Sequence, residues 1–129
     1  MIRAHRKAVE ALAADDVTLY VSKVPEGAQL PYAVLHFTPG DALPTAYDAA
    51  ASDWRAWPFV SHAYGSDAEQ CQWVQERLER AWLDKRPTVA GRSCRPIRRL
   101  AGVPPEPDTD EIPPIVLARD SWVFDSIPA

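Results

Sequence analysis

Five side chains in this sequence are of the types that act as nucleophiles or general bases: Cys71, Cys94, His5, His36 and His62. Cys71 falls on the apolar stripe of a predicted helix, where an inert buried thiol is typical. Cys94 lies beside arginines, which favour the thiolate, but the sequence marks no partner base for it. His36 and His62 fall in predicted strands and are expected to be neighbours across a sheet. We therefore expect no catalytic residue and no enzymatic activity.

The spacings typical of metal and nucleotide sites are also missing from the sequence. Two histidines and a distant cysteine do not make a zinc signature, which shows paired ligands at short spacing. The sequence contains neither GxGxxG nor GxxxxGK[ST]. Adjacent carboxylates occur at Asp15 with Asp16 and at Asp110 with Glu111. Such pairs in turns are ordinarily solvated, and an acid–base pair needs burial to separate its two roles. We expect no metal and no cofactor.

Charge is distributed unevenly along the chain. The net charge of −4 argues against a dedicated nucleic-acid binder. Residues 85–99 nevertheless carry six basic side chains and no acid, and residues 106–111 carry four acids and no base. This polarity suits a head-to-tail contact between copies, and the alternative is two solvated loops of opposite sign. The predicted subunit-interface residues are Arg92, Arg95, Arg98, Arg99, Glu106, Asp108, Asp110 and Glu111.

The five tryptophans divide into two groups. Trp82 lies on the core stripe of the second predicted helix, and Trp122 lies on the inner face of the last predicted strand. Trp73 falls off the helical stripe, while Trp54 and Trp57 flank a long loop. Aromatic side chains in such places are enriched at protein–protein contacts, and a surface tryptophan is the alternative for each one alone. We predict that Trp54, Trp57 and Trp73 contact a partner.

Periodicity predicts the elements that position these residues. Helical spacing favours helices over residues 2–14 and 67–85, the second opened by a capping box of Ser66 and Glu69. Strand patterns cover residues 17–22, 32–37, 57–64, 92–100 and 115–124. Because proline donates no ladder hydrogen bond, Pro58 indicates a sheet edge or the start of a strand, and Pro96 indicates an edge or a bulge. Residues 38–53 and 102–114 are predicted to be long surface loops.

This order predicts the α+β class, with two helices on one face of a mainly antiparallel or mixed sheet of about five strands. A length of 129 residues is that of a single domain, 1–129. The longest apolar run is far short of the ~20 residues of a membrane helix. The N-terminus lacks the apolar region of a signal peptide, and two cysteines make no disulfide framework. We expect a soluble protein of a reducing cytoplasm.

Three stretches carry a resemblance to a known family. They are PYAVL at 31–35, FVSHAYG at 59–65 running into SDAEQCQW at 66–73, and AGR at 90–92. Followed by a proline-rich acidic segment and a closing strand, this arrangement resembles the tail terminator (tail completion) proteins of long-tailed, siphovirus-type double-stranded DNA bacteriophages. The resemblance covers about residues 1–125. The Ala- and Asp-rich segment 38–53 departs from the simplest members of the family by its length.

The resemblance implies a structural virion protein at the tail neck, assembled in the host cytoplasm without cofactor or catalysis. Such a subunit forms a hexameric ring that caps the tail tube, ends its polymerisation and joins the tail to the head connector. Its partners are then copies of itself, the tail tube protein and the connector or stopper protein. DNA passes through the ring without specific binding, and no membrane is involved. Another neck or head-closure component is the nearest alternative, and a small cytoplasmic nucleic-acid-associated protein is an alternative of a different class.

Overall fold

The computed structural model describes residues 1–39, 41–42, 54–108 and 115–129. Two helices and seven strands follow one another along the chain: α1 (Ile2–Ala13), β1 (Leu19–Val21), β2 (Tyr32–Phe37), β3 (Asp41–Ala42), β4 (Arg55–Gly65), α2 (Ala68–Trp82), β5 (Arg92–Cys94), β6 (Arg98–Asp108) and β7 (Ile115–Pro128). The predicted α+β class is confirmed, with two more strands than expected.

In the described part of the chain the strands form a mixed seven-stranded sheet with the order β1-β2-β4-β7. The long strand β7 is paired on its other side with β5 and then β6, and β3 lies beside β4. Only β1 and β2 are parallel among these pairs. The centre is the antiparallel pair of β4 and β7, in register from Arg55 opposite Ser126 to Gly65 opposite Val116. Consequently β1 and β3 lie at one edge of the described sheet, and β5 and β6 lie at the other edge.

Both helices pack on one face of the sheet, where alternate residues of the central strands are buried. Phe59 of β4 lies opposite Trp122 of β7, and both rings meet Trp82 of α2 edge-on, at 5.1 and 5.5 Å between ring centroids. The indole of Trp82 donates a hydrogen bond of 3.0 Å to the Val9 carbonyl and so joins α2 to α1. The predicted core positions of Trp82 and Trp122 are confirmed.

The start of α2 differs by one residue from the predicted capping box. Asp67, not Ser66, is the N-cap, and its carboxylate accepts from the Gln70 amide at 2.7 Å. Gln70 takes the place assigned to Glu69, because its Oε1 reaches back to the Ser66 amide at 2.7 Å. The side chains of Asp67 and Gln70 therefore accept from free backbone amides at the start of α2, as the two residues of a capping box do.

Pro58 is neither at a sheet edge nor at the first residue of its strand, contrary to the prediction, because β4 begins at Arg55. It lies in β4 between β7 and the β2 side, opposite Val123 of β7. Its carbonyl accepts from the Thr38 amide at 3.4 Å and the Thr38 hydroxyl at 2.7 Å, just beyond the end of β2. The nitrogen of an extended residue faces the same neighbour as its carbonyl. The missing N–H therefore faces the junction where β2 ends and β3 begins, and no ladder bond is lost there.

Two predicted boundaries between strand and loop are also wrong. The single strand expected over 92–100 is broken after β5 and resumes as β6. Residues 102–108 belong to β6 instead of a surface loop, although this stretch contains three prolines. An outer strand tolerates proline on the side without a ladder partner, and register shifts accompany the Pro104–Pro105 stretch. Residues 109–114, 40 and 43–53 lie outside the described residues. In the described ranges, the two helices are too short and too polar to cross a membrane.

Candidate assembly surfaces

The two cysteines are buried and poorly reactive. The Cys71 thiol faces the Ala63 carbonyl at 3.3 Å, and burial raises its pKa to about 11. Burial also raises the pKa of Cys94 and outweighs the opposing charge of Arg92, so the expected thiolate-favouring setting is wrong. Both cysteines are therefore inert thiols of the core.

His36 and His62 are neighbours on the sheet face opposite the helices, as predicted, with ring centroids 4.7 Å apart. Burial lowers the pKa of His62, and the nearby charges of His36 and Arg119 lower it further. A metal would need more ligands than these rings supply. Within the ranges that the structure describes, no group of three or more His, Cys, Asp or Glu side chains converges on one point.

A buried polar network joins α1 to the end of β7. The Ser126 hydroxyl accepts from the Trp57 indole at 3.0 Å and from the Arg92 guanidinium at 3.0 and 3.2 Å. Its own proton is then directed to Nε2 of His5, 2.8 Å away, while Nδ1 of His5 donates to the Met1 carbonyl at 2.8 Å. Burial lowers the pKa of His5, which agrees with a neutral ring.

This network has the atoms of a serine–histidine pair but no route for a substrate, because His5 and Ser126 are fully buried. It also corrects two predicted site residues. Trp57 is 2% exposed and stacks on His5 with ring centroids 4.0 Å apart, so it belongs to the core and not to a partner surface. Arg92 is committed to Ser126 within its own chain.

Arg99 is likewise committed within its own chain. Its Nε and Nη2 both donate to Oδ1 of Asp120, whose other oxygen accepts from the Gln75 amide at 3.1 Å. Asp120 is 1% exposed on the helix-covered face of β7. A Cβ at Gly102 would lie only 2.6 Å from Asp120 Oδ1, so the absence of a side chain there makes room for the pair. Arg99 therefore has a structural role in its own chain, and its interface role stays a prediction.

Arg95 and Arg98 remain on the surface. The Arg95 guanidinium lies 4.9 Å above the ring of Trp54, which is half-buried. Arg98 is 62% exposed and lies 3.8 Å from Asp125, a contact that contributes little in water. Glu106 is exposed near the far end of β6. Of the other predicted acidic residues, Asp108 ends β6 by its backbone, and Asp110 and Glu111 lie outside the described residues.

Trp73 is exposed on α2, as its position off the helical stripe predicted, with 42% of its surface free. The Arg77 guanidinium lies 4.7 Å from its ring centroid. Trp73 and Pro31 line two adjoining grooves of about 420 Å³ each. The other lining residues are Asp67, Glu69 and Gln70 for the first groove and Ala14, Asp15, Asp16, Val17 and Thr18 for the second. We call these the Trp73 groove.

No local sequence pattern marks the Trp73 groove, since its walls come from three separate stretches. The turn after α1, the residue before β2 and the first turns of α2 meet only when β2 pairs with β4. A second surface feature lies on the opposite edge of the sheet. Leu100 and Val103 of β6 are 60% and 41% exposed.

Comparison with known proteins gives a match at the level of fold. No known family model matches the sequence. No curated protein matches it either. A chain from the virion of a native gene transfer agent particle matches 92% of this chain and 83% of its own length, with a TM-score of 0.61 and 12% identity. A second solved chain matches 98% of this chain and 96% of its own, with a TM-score of 0.65 and 12% identity. These likenesses show that the fold is shared over nearly the whole chain.

Proposed function

We propose that this chain is a structural virion protein of a tailed, phage-like particle, and specifically a tail terminator. In this role it forms a hexameric ring at the tail neck that caps the tail tube, ends its polymerisation and joins the tail to the head connector. The observation that carries the proposal is the match of fold, over 92% of this chain, with a chain of the gene transfer agent virion. The resemblance of the three sequence stretches to tail terminators supports the finer assignment.

The chemistry of the described residues supports a role in assembly over one in catalysis. Of the nucleophilic and basic side chains named from the sequence, the two cysteines are buried in the core and His5 is buried against Ser126. His36 and His62 form a pair on the opposite face of the sheet. The exposed features are instead an aromatic groove and a basic, apolar strand edge. Such features suit contacts between protein surfaces.

A ring requires a heterologous contact, in which two different surfaces of one subunit meet on neighbouring copies. Arg95, Arg98 and Arg99 are exposed among the basic residues of the predicted interface, and Arg99 is paired with the buried Asp120 of its own chain. The net charge of −4 suits a ring through which DNA passes without specific binding, because excess positive charge would hold phosphates by counterion release. The tail tube protein and the connector or stopper protein are the proposed axial partners, and segment 38–53 is proposed to contact one of them.

The proposal is tested by assembly of the purified protein. Native mass spectrometry and negative-stain electron microscopy should show six-fold rings, and addition of the protein to growing tail tubes should fix their length. A protein that binds the head connector but leaves tube growth unchanged would instead be another neck component. A protein that stays monomeric alone and with tubes, or that binds DNA with steep salt dependence, would contradict the terminator role.

A further inference from the structure

Exposed apolar side chains are concentrated at two places on the described surface. Apart from the N-terminal Met1 and Ile2, the large hydrophobic residues that are exposed among those described are Trp73, Leu100 and Val103. Trp73 lies between the two parts of the Trp73 groove, and the other two lie on β6. Apolar surface at such positions is stabilised when another protein surface covers it.

These two places are at opposite corners of the sheet. The Trp73 groove is next to the start of β2, where Tyr32 pairs with Tyr64 at the end of β4. Arg98 at the start of β6 pairs with Val123 of β7, which lies opposite Pro58 of β4. Because β4 and β7 lie between them, the two surfaces are not in contact within one chain.

The charges around the two surfaces are complementary. Acidic side chains surround the groove, and within the described ranges none of them forms an ion pair: Asp15, Asp16, Asp67 and Glu69. The segment 95–100, which leads into β6, carries Arg95 and Arg98. Lys85 lies beside it, because the Ile97 amide donates to the Lys85 carbonyl at 2.9 Å. An apolar centre with a rim of opposite charge is the arrangement that sets orientation and partner choice in protein contacts.

From these observations we propose that the Trp73 groove binds residues 95–100, the segment that leads into and begins β6, of a second copy of this chain. Leu100 of the second copy packs against Trp73, and Arg98 faces the acidic rim. This inference rests on the proposed ring and names its subunit contact. The groove and the strand edge are different surfaces, so each copy offers one of each, as a closed ring requires.

The acidic end of β6 is a poorer receptor for the same arginines. Glu106 and Arg98 lie on one strand, so an antiparallel contact between two β6 edges is two-fold and ends at a dimer. The acidic half of that strand also contains Pro104, Pro105 and Pro107, which cannot donate hydrogen bonds to an added strand. Neither the two-fold symmetry nor the missing proline donors applies to a contact with the Trp73 groove.

Charge reversal at each surface tests the contact. The groove variant is Asp15→Lys with Glu69→Lys, and the edge variant is Arg95→Glu with Arg98→Glu. The single reversals Glu26→Lys and Lys7→Glu, at exposed residues that line neither surface, are the controls. Circular dichroism verifies that each variant is folded. We expect each reversed surface to weaken self-association at least about tenfold in sedimentation velocity, and the controls to leave it unchanged.

Mixing the variants gives the sharper result. In an equimolar mixture the intact edge of one variant meets the intact groove of the other, and the reversed groove meets the reversed edge with opposite charges. The mixture should therefore form rings in which the two variants alternate, although neither variant forms rings alone. Combining both reversals in one chain restores opposite charges and should recover rings. If wild-type rings form and both reversals leave them intact, this contact is wrong and the ring stands. If the wild-type protein associates only as a two-fold dimer, or not at all even on tail tubes, both the contact and the ring are overturned.

Discussion

Replacement of Arg99 by methionine separates a structural role for this residue from the interface role that its sequence neighbourhood suggested. The substitution keeps an aliphatic stem of similar length and removes the guanidinium from Asp120. The carboxylate is then left on the helix-covered face of the sheet with only the Gln75 amide, 3.1 Å away, as a hydrogen-bond partner. An uncompensated buried charge is among the larger single costs that a fold can carry.

The size of the effect follows from the exposure of the two partners. Breaking a fully buried ion pair by removing one partner costs about 3–5 kcal/mol. Here the Asp120 side chain is 2% exposed but that of Arg99 is 36% exposed, so water partly replaces the guanidinium. We expect the free energy of unfolding to fall by about 2–3 kcal/mol. For a chain of 129 residues, a loss of about 2.5 kcal/mol lowers Tm by about 9 °C.

The assay is urea unfolding followed by tryptophan fluorescence, with two comparison variants. Arg98→Met removes a guanidinium that is 62% exposed and should cost less than about 0.5 kcal/mol. Arg99→Met combined with Asp120→Leu removes both charges and should recover most of the lost stability. Equal stabilities of the Arg98 and Arg99 variants would refute a stabilising role of the Arg99–Asp120 pair. Loss of assembly without loss of stability would show that Arg99 acts at the subunit interface.

Three further changes probe other buried contacts. Gly102→Ala should cost about 1–3 kcal/mol in urea unfolding, because its Cβ would lie 2.6 Å from Asp120 Oδ1. Ser126→Ala should cost about 1–3 kcal/mol by calorimetry, because the Trp57 indole and His5 Nε2 lose a buried partner. Burial lowers the pKa of folded His5, whereas the unfolded chain binds a proton below about 6.5. Stability should therefore be complete above that pH and fall on acidification to pH 5, with a shallower slope in His5→Gln.

Each of these expectations has a contrary result. A Gly102→Ala protein as stable as the wild type would mean that the sheet leaves room for a methyl group beside Asp120. A Ser126→Ala protein with an unchanged melting enthalpy and Tm would remove the network as a stabilising element. Stability that rises from pH 7 to pH 5, or a slope unaffected by His5→Gln, would contradict a histidine that is held neutral by burial.

The elements that the sequence predicted correctly are those whose signal is local. A run of strand-forming residues after Pro31 defines β2 to the residue, and the stripe from Cys71 to Trp82 defines the buried side of α2. In β7, Asp120 interrupts a face of apolar residues. The partner of Asp120 could not be predicted from the sequence. Arg99 lies beside Asp120 only because of the register in which β6 pairs with β7, and no local sequence pattern predicts that register.

The errors share a cause in contacts between distant parts of the chain. Trp57 flanks a loop in the sequence, but α1 supplies His5 to stack on it and β7 supplies Ser126 to accept its indole hydrogen. The three prolines of β6 argued against a strand, but an outer strand needs donors on one side only. The Trp73 groove went unnoticed because Pro31 and the turn after α1 reach α2 through the sheet.

The commitment of Arg92 and Arg99 inside the chain changes what the basic segment can contribute to assembly. Counting charges by segment suggested a strongly electrostatic contact, but Arg92 and Arg99 bind buried groups of their own chain, and Arg95 and Arg98 are left as the more available charges. Exposed ion pairs contribute about 0.2–1 kcal/mol each. Covering about 100 Å² of apolar surface on Trp73 contributes about 2.5 kcal/mol. In the proposed contact, charge therefore selects which surfaces meet and the tryptophan supplies most of the affinity, so Trp73→Ala should weaken self-association more than any single charge substitution.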